Sequence, residues 1–353
     1  MKEGNMIKDC IKVPTCPQKV RVGRIRYINV APVYYGIEHG LKPSYMGLVR
    51  ETPAALNRMM EKGEIDISPV SSASYARNYK DWDLLPGLSI SSFGKVMSVI
   101  LASNLPLEKL DNRKILLSDE SASAIEMLKL VLSWKNISPV YETGSIQEKD
   151  AATYQDHDAV LVIGNSALTG EWNRRFKYIW DLGAIWQQMT GLPFVFAVWA
   201  VRKTFSGKRP EIVAEVADLL MKSKKQGDLN LEHIQESTSR LLDIDIETCR
   251  IYFNRLNYDL GKIQIQGLTS FYQGLYRQGI ISEPVKISFI PSLLQMKTAP
   301  DSRNFLYGAP SRIPVFLTNM QKQAYLSLRL LPFPLPLKKV FPQLYHLLRQ
   351  DRR

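Results

Sequence analysis

Cysteine and histidine are scarce in this 353-residue chain. The three cysteines, Cys10, Cys16 and Cys249, are odd in number and unclustered. Their spacing fits neither a disulfide framework nor a zinc site, and a reducing compartment follows. The four histidines, His39, His157, His233 and His346, stand in no metal or triad pattern. A glycine-rich phosphate loop, a nucleophile elbow and a dinucleotide fingerprint are all missing, so no metal and no cofactor is expected. No apolar run reaches about 18 residues, so no transmembrane segment is expected. Met1 to Val20 is polar, is broken by Pro14 and Pro17, and has no apolar stretch of the signal-peptide kind, which makes the cytoplasm the expected location.

What the chain does have is positive charge, a formal +12, but it is unevenly placed. Residues 291–353 hold ten Lys/Arg against two Asp, so most of the excess belongs to this tail and the body is near neutral. No helix-turn-helix, zinc or RNA-binding pattern accompanies the charge, and nucleic acid is not an expected partner. The tail also carries eight of the twenty prolines. Proline removes backbone donors and interrupts helices, so an appendage of poor order is expected there rather than a basic membrane-surface anchor.

Between a short N-terminal extension (1–19) and the tail, apolar runs alternate with amphipathic segments. Val20 to Asn29, Tyr45 to Arg50 and Ile65 to Val70 read as strands. Thr52 with Pro53 opens a helix that Gly63 ends, and Ser71-Ser72 opens another. A second series follows: a strand at Ile115 to Leu117, a helix from Ala122 to Trp134, and strands at Val140 to Glu142 and Ala159 to Ile163. The order predicts an α/β fold with a largely parallel sheet. Two long runs, Leu84 to Ile100 and Phe194 to Arg202, predict chain crossings between two lobes with a cleft between them. Lobe 1 is expected over 20–101 and 197–290 and lobe 2 over 102–196, with hinges near 102–105 and 193–197 that let the lobes close on a ligand.

Candidate ligand groups are small and neutral. Ser71-Ser72-Ala73-Ser74, Ser121-Ala122-Ser123 and Thr190-Gly191 each read as a turn opening a helix. Unpaired N–H groups and hydroxyls there suit a carboxylate or phosphate, although serine at such a place is also an ordinary cap. Asn29 is placed at the carboxyl edge of the first strand, where ligands bind in open α/β folds; an Asx turn into Ala31-Pro32 is the plainer alternative. Ser98, inside the apolar Val96 to Ile100, must find a partner in backbone or ligand. Asp156, His157 and Asp158 precede a strand at the opposite edge and read as a solvated loop.

Four longer stretches carry a resemblance: Arg24 to Pro32, Gly63 to Ser72, Leu85 to Ser92 and Thr190 to Trp199. Over about residues 20–288 the chain resembles the chorismate dehydratases of the futalosine route to menaquinone. The resemblance implies a periplasmic-binding-protein-like, type II fold used as an intracellular enzyme. It implies loss of water from chorismate to give 3-[(1-carboxyvinyl)oxy]benzoate; with no well-placed His or Glu in the chain, the substrate's own enolpyruvyl carboxylate is the expected base. On that reading Asn29 and Ser98 are catalytic, Ser71, Ser72, Ser121 and Ser123 hold carboxylates, and Thr190-Gly191 lets backbone approach the ligand. Asn165 stands where the family usually carries Asp. Two alternatives share the fold: 1,4-dihydroxy-6-naphthoate synthase of the same route, and a non-catalytic cytosolic carboxylate-binding protein.

Overall fold

Eleven strands form where the short apolar and β-branched runs lie, in a computed structural model that describes residues 19–146, 151–291 and 293. The expected N-terminal extension and basic tail lie outside the described residues, apart from Lys19, Pro291 and Leu293. The strands are β1 (Val20–Ile25), β2 (Met46–Glu51), β3 (Ile67–Ser71), β4 (Trp82–Ser92), β5 (Val99–Ser103) and β6 (Lys114–Ser118). They continue with β7 (Val140–Gly144), β8 (Ala159–Ile163), β9 (Tyr178–Asp181), β10 (Phe194–Arg202) and β11 (Leu256–Asn257). The helices linking them are α1 (Ala31–Gly36), α2 (Pro53–Glu61), α3 (Ser72–Asn78), α4 (Ala122–Trp134), α5 (Asn165–Thr169), α6 (Trp172–Arg175) and α7 (Leu182–Thr190). After β10 come α8 (Lys203–Ser206), α9 (Pro210–Leu229), α10 (Leu231–Leu242), α11 (Ile246–Arg255) and α12 (Lys262–Arg277).

Two sheets result, ordered β2-β1-β3-β10-β4-β11 and β7-β6-β8-β5-β9. In the first, β1 pairs in parallel with β2 and β3, while β10 runs antiparallel to β3 and β4. In the second, β6 is parallel to β7 and β8, while β5 runs antiparallel to β8 and β9. Each sheet thus places one strand next to its third from a crossing segment that arrives from the other lobe, and that strand runs against its neighbours. This corrects the expectation of a largely parallel sheet: alternating strands and helices do not reveal which strand is the visitor.

The crossings also sit earlier than expected. β5 lies wholly in the second sheet, so the first crossing is the stretch between Ser92 and Val99, not 102–105. That stretch is no strand, because Gly94 and Met97 have φ of +88° and +67°; Leu84 to Ile100 is therefore two strands and a turn. The first strand likewise stops at Ile25, and Asn29 lies in a short 3-10 turn, Ile28–Val30.

Burial of large rings organises the core. Trp82, Trp172, Trp186 and Trp199 are all enclosed, and each such side chain contributes about 1.5–3 kcal/mol. The Trp199 indole N–H donates to the Tyr34 hydroxyl at 3.3 Å, and Tyr34 donates to the Gly23 carbonyl at 2.5 Å, so the polar tips of this pair are satisfied, whereas Trp186 Nε1 is buried with no partner among the described residues. α4 begins where Ser121 accepts from the Ala124 N–H at 3.2 Å, and it buries Met127, Leu128 and Val131 against the sheet. Among the described residues, no helix is long and apolar enough to cross a membrane.

Candidate active site

The matching strand orders make the two lobes present equivalent loops to each other. Chain following β1 and β3 supplies Tyr27, Asn29 and Ser71 to a central cavity; chain following β6 and β8 supplies Ser121, Ser123 and Gly164. This is the carboxyl edge of each sheet, where open α/β folds bind ligands. The strand register adds a row from three adjacent strands, since Ala197 of β10 lies opposite Ser71 of β3 and Ile90 of β4. Phe196, Val96 and Leu256 complete an apolar wall, and Ser98 sits just ahead of β5 rather than inside a strand. Among the described residues, no Lys, Arg or His borders this cavity.

The serine hydroxyls are arranged to donate. The Ser71 oxygen accepts from the Asn57 side-chain N–H at 3.2 Å and from the Ser74 N–H at 3.1 Å. Asn57 is buried and also accepts from the Ser71 N–H at 3.0 Å, which fixes the turn. Ser121 accepts from Ala124, and Ser123 accepts across the cleft from the Ala73 N–H at 3.1 Å. Ser71 has both lone pairs engaged and Ser121 and Ser123 one each, and none of the three donates to a described residue, which leaves each O–H for an acceptor in the cavity. Ser98 is 5 % exposed, and its hydroxyl lies near the Tyr252 phenol. Burial pushes the Tyr252 phenol well above its ordinary range, and the neighbouring Ser98 hydroxyl offsets part of that. Asn29 differs from all of these: its Oδ1 is buried and has no hydrogen-bond partner among the described residues.

Three expected site residues fall elsewhere. Ser72 is fully buried and donates to the Val195 carbonyl at 2.6 Å, tying α3 to β10 instead of facing the cavity. Thr190 and Gly191 close a helix instead of opening one. Thr190 is the last residue of α7, its hydroxyl donates to the Trp186 carbonyl, and Gly191 is the left-handed cap at φ +70°. Neither borders the cavity. The Asp156–Asp158 cluster is also remote: His157 pairs with Glu142 at 3.0 Å and Asp158 accepts from the Lys114 N–H.

Several groups that the sequence reading gave no role hold the lobes together. The Tyr27 hydroxyl donates to Glu120 across the cleft, and burial followed by that carboxylate pushes the phenol well above its ordinary range. The Ile28 N–H donates to Asn165 Oδ1 at 3.3 Å, and Arg77 pairs with the buried Glu126. Gly164 packs flat against Tyr27: a Cβ there would lie 2.8 Å from the ring, and its φ of +65° suits glycine alone. The cavity between these contacts has a volume of about 60 Å³. These contacts join the two lobes directly beside the cavity.

Residues 20–277 match the family model described as menaquinone biosynthesis. A chorismate dehydratase of Thermus thermophilus is 30% identical over 269 residues, covering 72% of this chain and 94% of its own. One of Campylobacter jejuni is 28% identical over 243 residues, covering 67% and 88%. A 1,4-dihydroxy-6-naphtoate synthase of Thermus thermophilus is 22% identical over 260 residues, covering 69% and 89%. Among solved structures, a protein of Archaeoglobus fulgidus superposes with a TM-score of 0.58 at 19% identity, over 74% of this chain and 98% of its own. The periplasmic aliphatic sulphonate binding protein of Escherichia coli gives 0.53 at 14%, over 77% and 96%. The fold is thus the periplasmic-binding-protein-like α/β fold.

Proposed function

The chain belongs to the menaquinone biosynthesis family, and from that premise we propose that it is a cytoplasmic hydro-lyase that removes water from chorismate, with Asn29 and Ser98 as its catalytic residues. The observation that carries the reading is the bare, buried Oδ1 of Asn29 in a cavity otherwise furnished with hydroxyl donors. A buried amide oxygen without a donor costs free energy, and chorismate offers its C4 hydroxyl to satisfy it. The substrate is a dianion, and Ser71, Ser121 and Ser123 present O–H groups to carboxylates without bringing a positive charge. Apolar walls at Phe196, Val96 and Leu256 suit the ring.

In the reaction the enolpyruvyl carboxylate takes the C3 proton, the C3–H electron pair becomes the new ring double bond, and the C4–O bond breaks. The departing hydroxide leaves as water, taking up the proton. Asn29 Nδ2 orients the enolpyruvyl carboxylate while Oδ1 accepts from the C4 hydroxyl. Ser98 hydrogen-bonds the leaving oxygen or the ring carboxylate. The protein needs no titratable base, because holding the substrate's own base at its proton can contribute about 7–11 kcal/mol. Closure through Tyr27–Glu120 and Asn165–Ile28 excludes water and strengthens each contact. The cytoplasmic assignment rests on the sparse cysteines, of which Cys249 is buried and unpaired.

The test is spectroscopic. Purified protein is mixed with chorismate, and the diene absorption gives way to a benzoate spectrum. Asn29→Ala and Ser98→Ala each lower kcat at least about 100-fold with melting temperature retained. Binding with an unchanged spectrum makes the protein a carboxylate sensor, and near-normal turnover in both variants removes these residues from the mechanism.

A further inference from the structure

The segment that crosses from β4 to β5 has two working faces. Val96 and Ser98 border the central cavity, while Lys95 and Met97 border a second one of about 360 Å³ on the far side. This second cavity lies against Ile100 of β5 and Ile179 of β9 and is roofed by α5 and α6 through Leu168 and Trp172. Its roof is rigidly set. The Trp172 indole N–H donates to the Ser166 carbonyl at 2.8 Å, and Gly170 lies so close that a Cβ would meet the indole nitrogen at 2.1 Å. Asp181 also borders it, but its carboxylate already accepts from the N–H groups of Val96, Met97 and Ala184 at 2.7–3.1 Å. Lys95, at the mouth, has no ion pair or hydrogen bond to any described residue.

An open groove with apolar walls at Met97, Ile100, Leu168 and Ile179, an uncommitted ammonium at its mouth and the Asn173 amide beside it has the composition of a ligand site. The cation selects charge, and the walls select a ring-sized apolar body. We propose that this second cavity binds a small organic anion, a carboxylate on an apolar ring system, and that occupancy alters turnover in the central cleft through residues 95–98. The route is short. A ligand touching Lys95 and Met97 presses on a backbone that Asp181 holds at both Val96 and Met97, with Met97 in the left-handed region. Ser98 is the next residue. Binding stands apart from the reaction proposed above; only the effect on turnover rests on it.

The probe is 2-naphthoate, titrated calorimetrically into the full chain, with uncharged 2-naphthamide as comparator. Expected is saturable binding of the carboxylate, at least tenfold tighter than the amide. Lys95→Met and the cavity-filling Leu168→Trp weaken it at least tenfold, while Asn29→Ala leaves it within threefold. Lys95 is exposed, so its variant reads the site even if Leu168→Trp fails to fold. In the chorismate assay the probe lowers kcat in a way that excess substrate does not reverse. Absence of binding overturns the proposal. So does binding that survives Lys95→Met, falls in Asn29→Ala and competes with chorismate, which places the probe in the cleft. Binding at Lys95 with unchanged kcat overturns the coupling alone. Failure of the parent protein to convert chorismate overturns the assigned reaction and leaves the calorimetric result standing.

Discussion

Gly164→Ala is the sharpest perturbation available at the cleft. The added methyl lies 2.8 Å from two atoms of the Tyr27 ring and 3.0 Å from a third, and the backbone stays at a φ of +65° that alanine disfavours. Strain of this kind costs about 1–3 kcal/mol, and forcing a methyl onto a rigid ring about 1–3 kcal/mol more. The lobes have a cheaper response than unfolding, because Tyr27 and Gly164 belong to opposite walls and the clash vanishes when the cleft parts. Most of the cost therefore appears as lost closure. About 2 kcal/mol moves a closed–open equilibrium roughly thirtyfold. The expected result is kcat/KM for chorismate down about 10- to 100-fold, with a melting temperature a few degrees lower. Small-angle scattering of the substrate-saturated variant should show a larger radius of gyration than the parent. A variant with kcat/KM within twofold of the parent and the same scattering profile would refute the idea that Tyr27 against Gly164 is the closing contact.

Other substitutions separate support from chemistry. Ser72→Ala leaves the Val195 carbonyl unsatisfied at about 1–3 kcal/mol, so thermal unfolding should come earlier by about 2–4 °C per kcal/mol while kcat/KM of the folded protein holds. Asn165→Asp preserves an acceptor for the Ile28 N–H and should keep kcat/KM within about threefold, whereas Asn165→Leu removes the link and raises KM; equal KM values for the two would show that the link is idle. Asp66 is almost wholly buried. Burial alone would raise its carboxyl, but hydrogen bonds from Arg21 and Arg202 outweigh this and hold it below its ordinary value. Its contribution is thus present above the unfolded-state pKa, roughly pH 4, and lost as pH falls through the native one. Asp66→Asn should lower stability at neutral pH by about 1–3 kcal/mol and flatten the acid limb of a denaturation series run from pH 6 to pH 2.

The sequence was most readable where one local signal sufficed. α4 runs from Ala122 to Trp134 as the apolar spacing and the Ser121 cap require, and β8 and β10 coincide with their apolar runs. It misled where the signal is symmetric or non-local. A Thr-Gly pair marks a boundary without saying which side the helix is on. α7 lies upstream of it and is capped by Asp181, whose role went unseen among apolar neighbours. Ser71 and Ser72 look alike in sequence, yet one faces the cavity and the other is spent on Val195, a partner 123 positions away. The turn at Met97 was hidden because methionine gives no hint of a positive φ. Glu120 and Gly164 acquire meaning only when Tyr27 arrives from the other lobe.

The visiting strand has a consequence for how the chain is made. β3 ends at Ser71, but β10, which lies beside it, begins only at Phe194. At ~5–20 residues per second on the ribosome, the amino-terminal half waits about 6–25 s with one flank of β3 bare, a ladder of unmet amides and carbonyls. The second half, nested between, has all its strands by Asp181 and can mature first. Maturation thus runs from the inside outward, and the flank of β3 stays an open sheet edge until translation reaches Arg202.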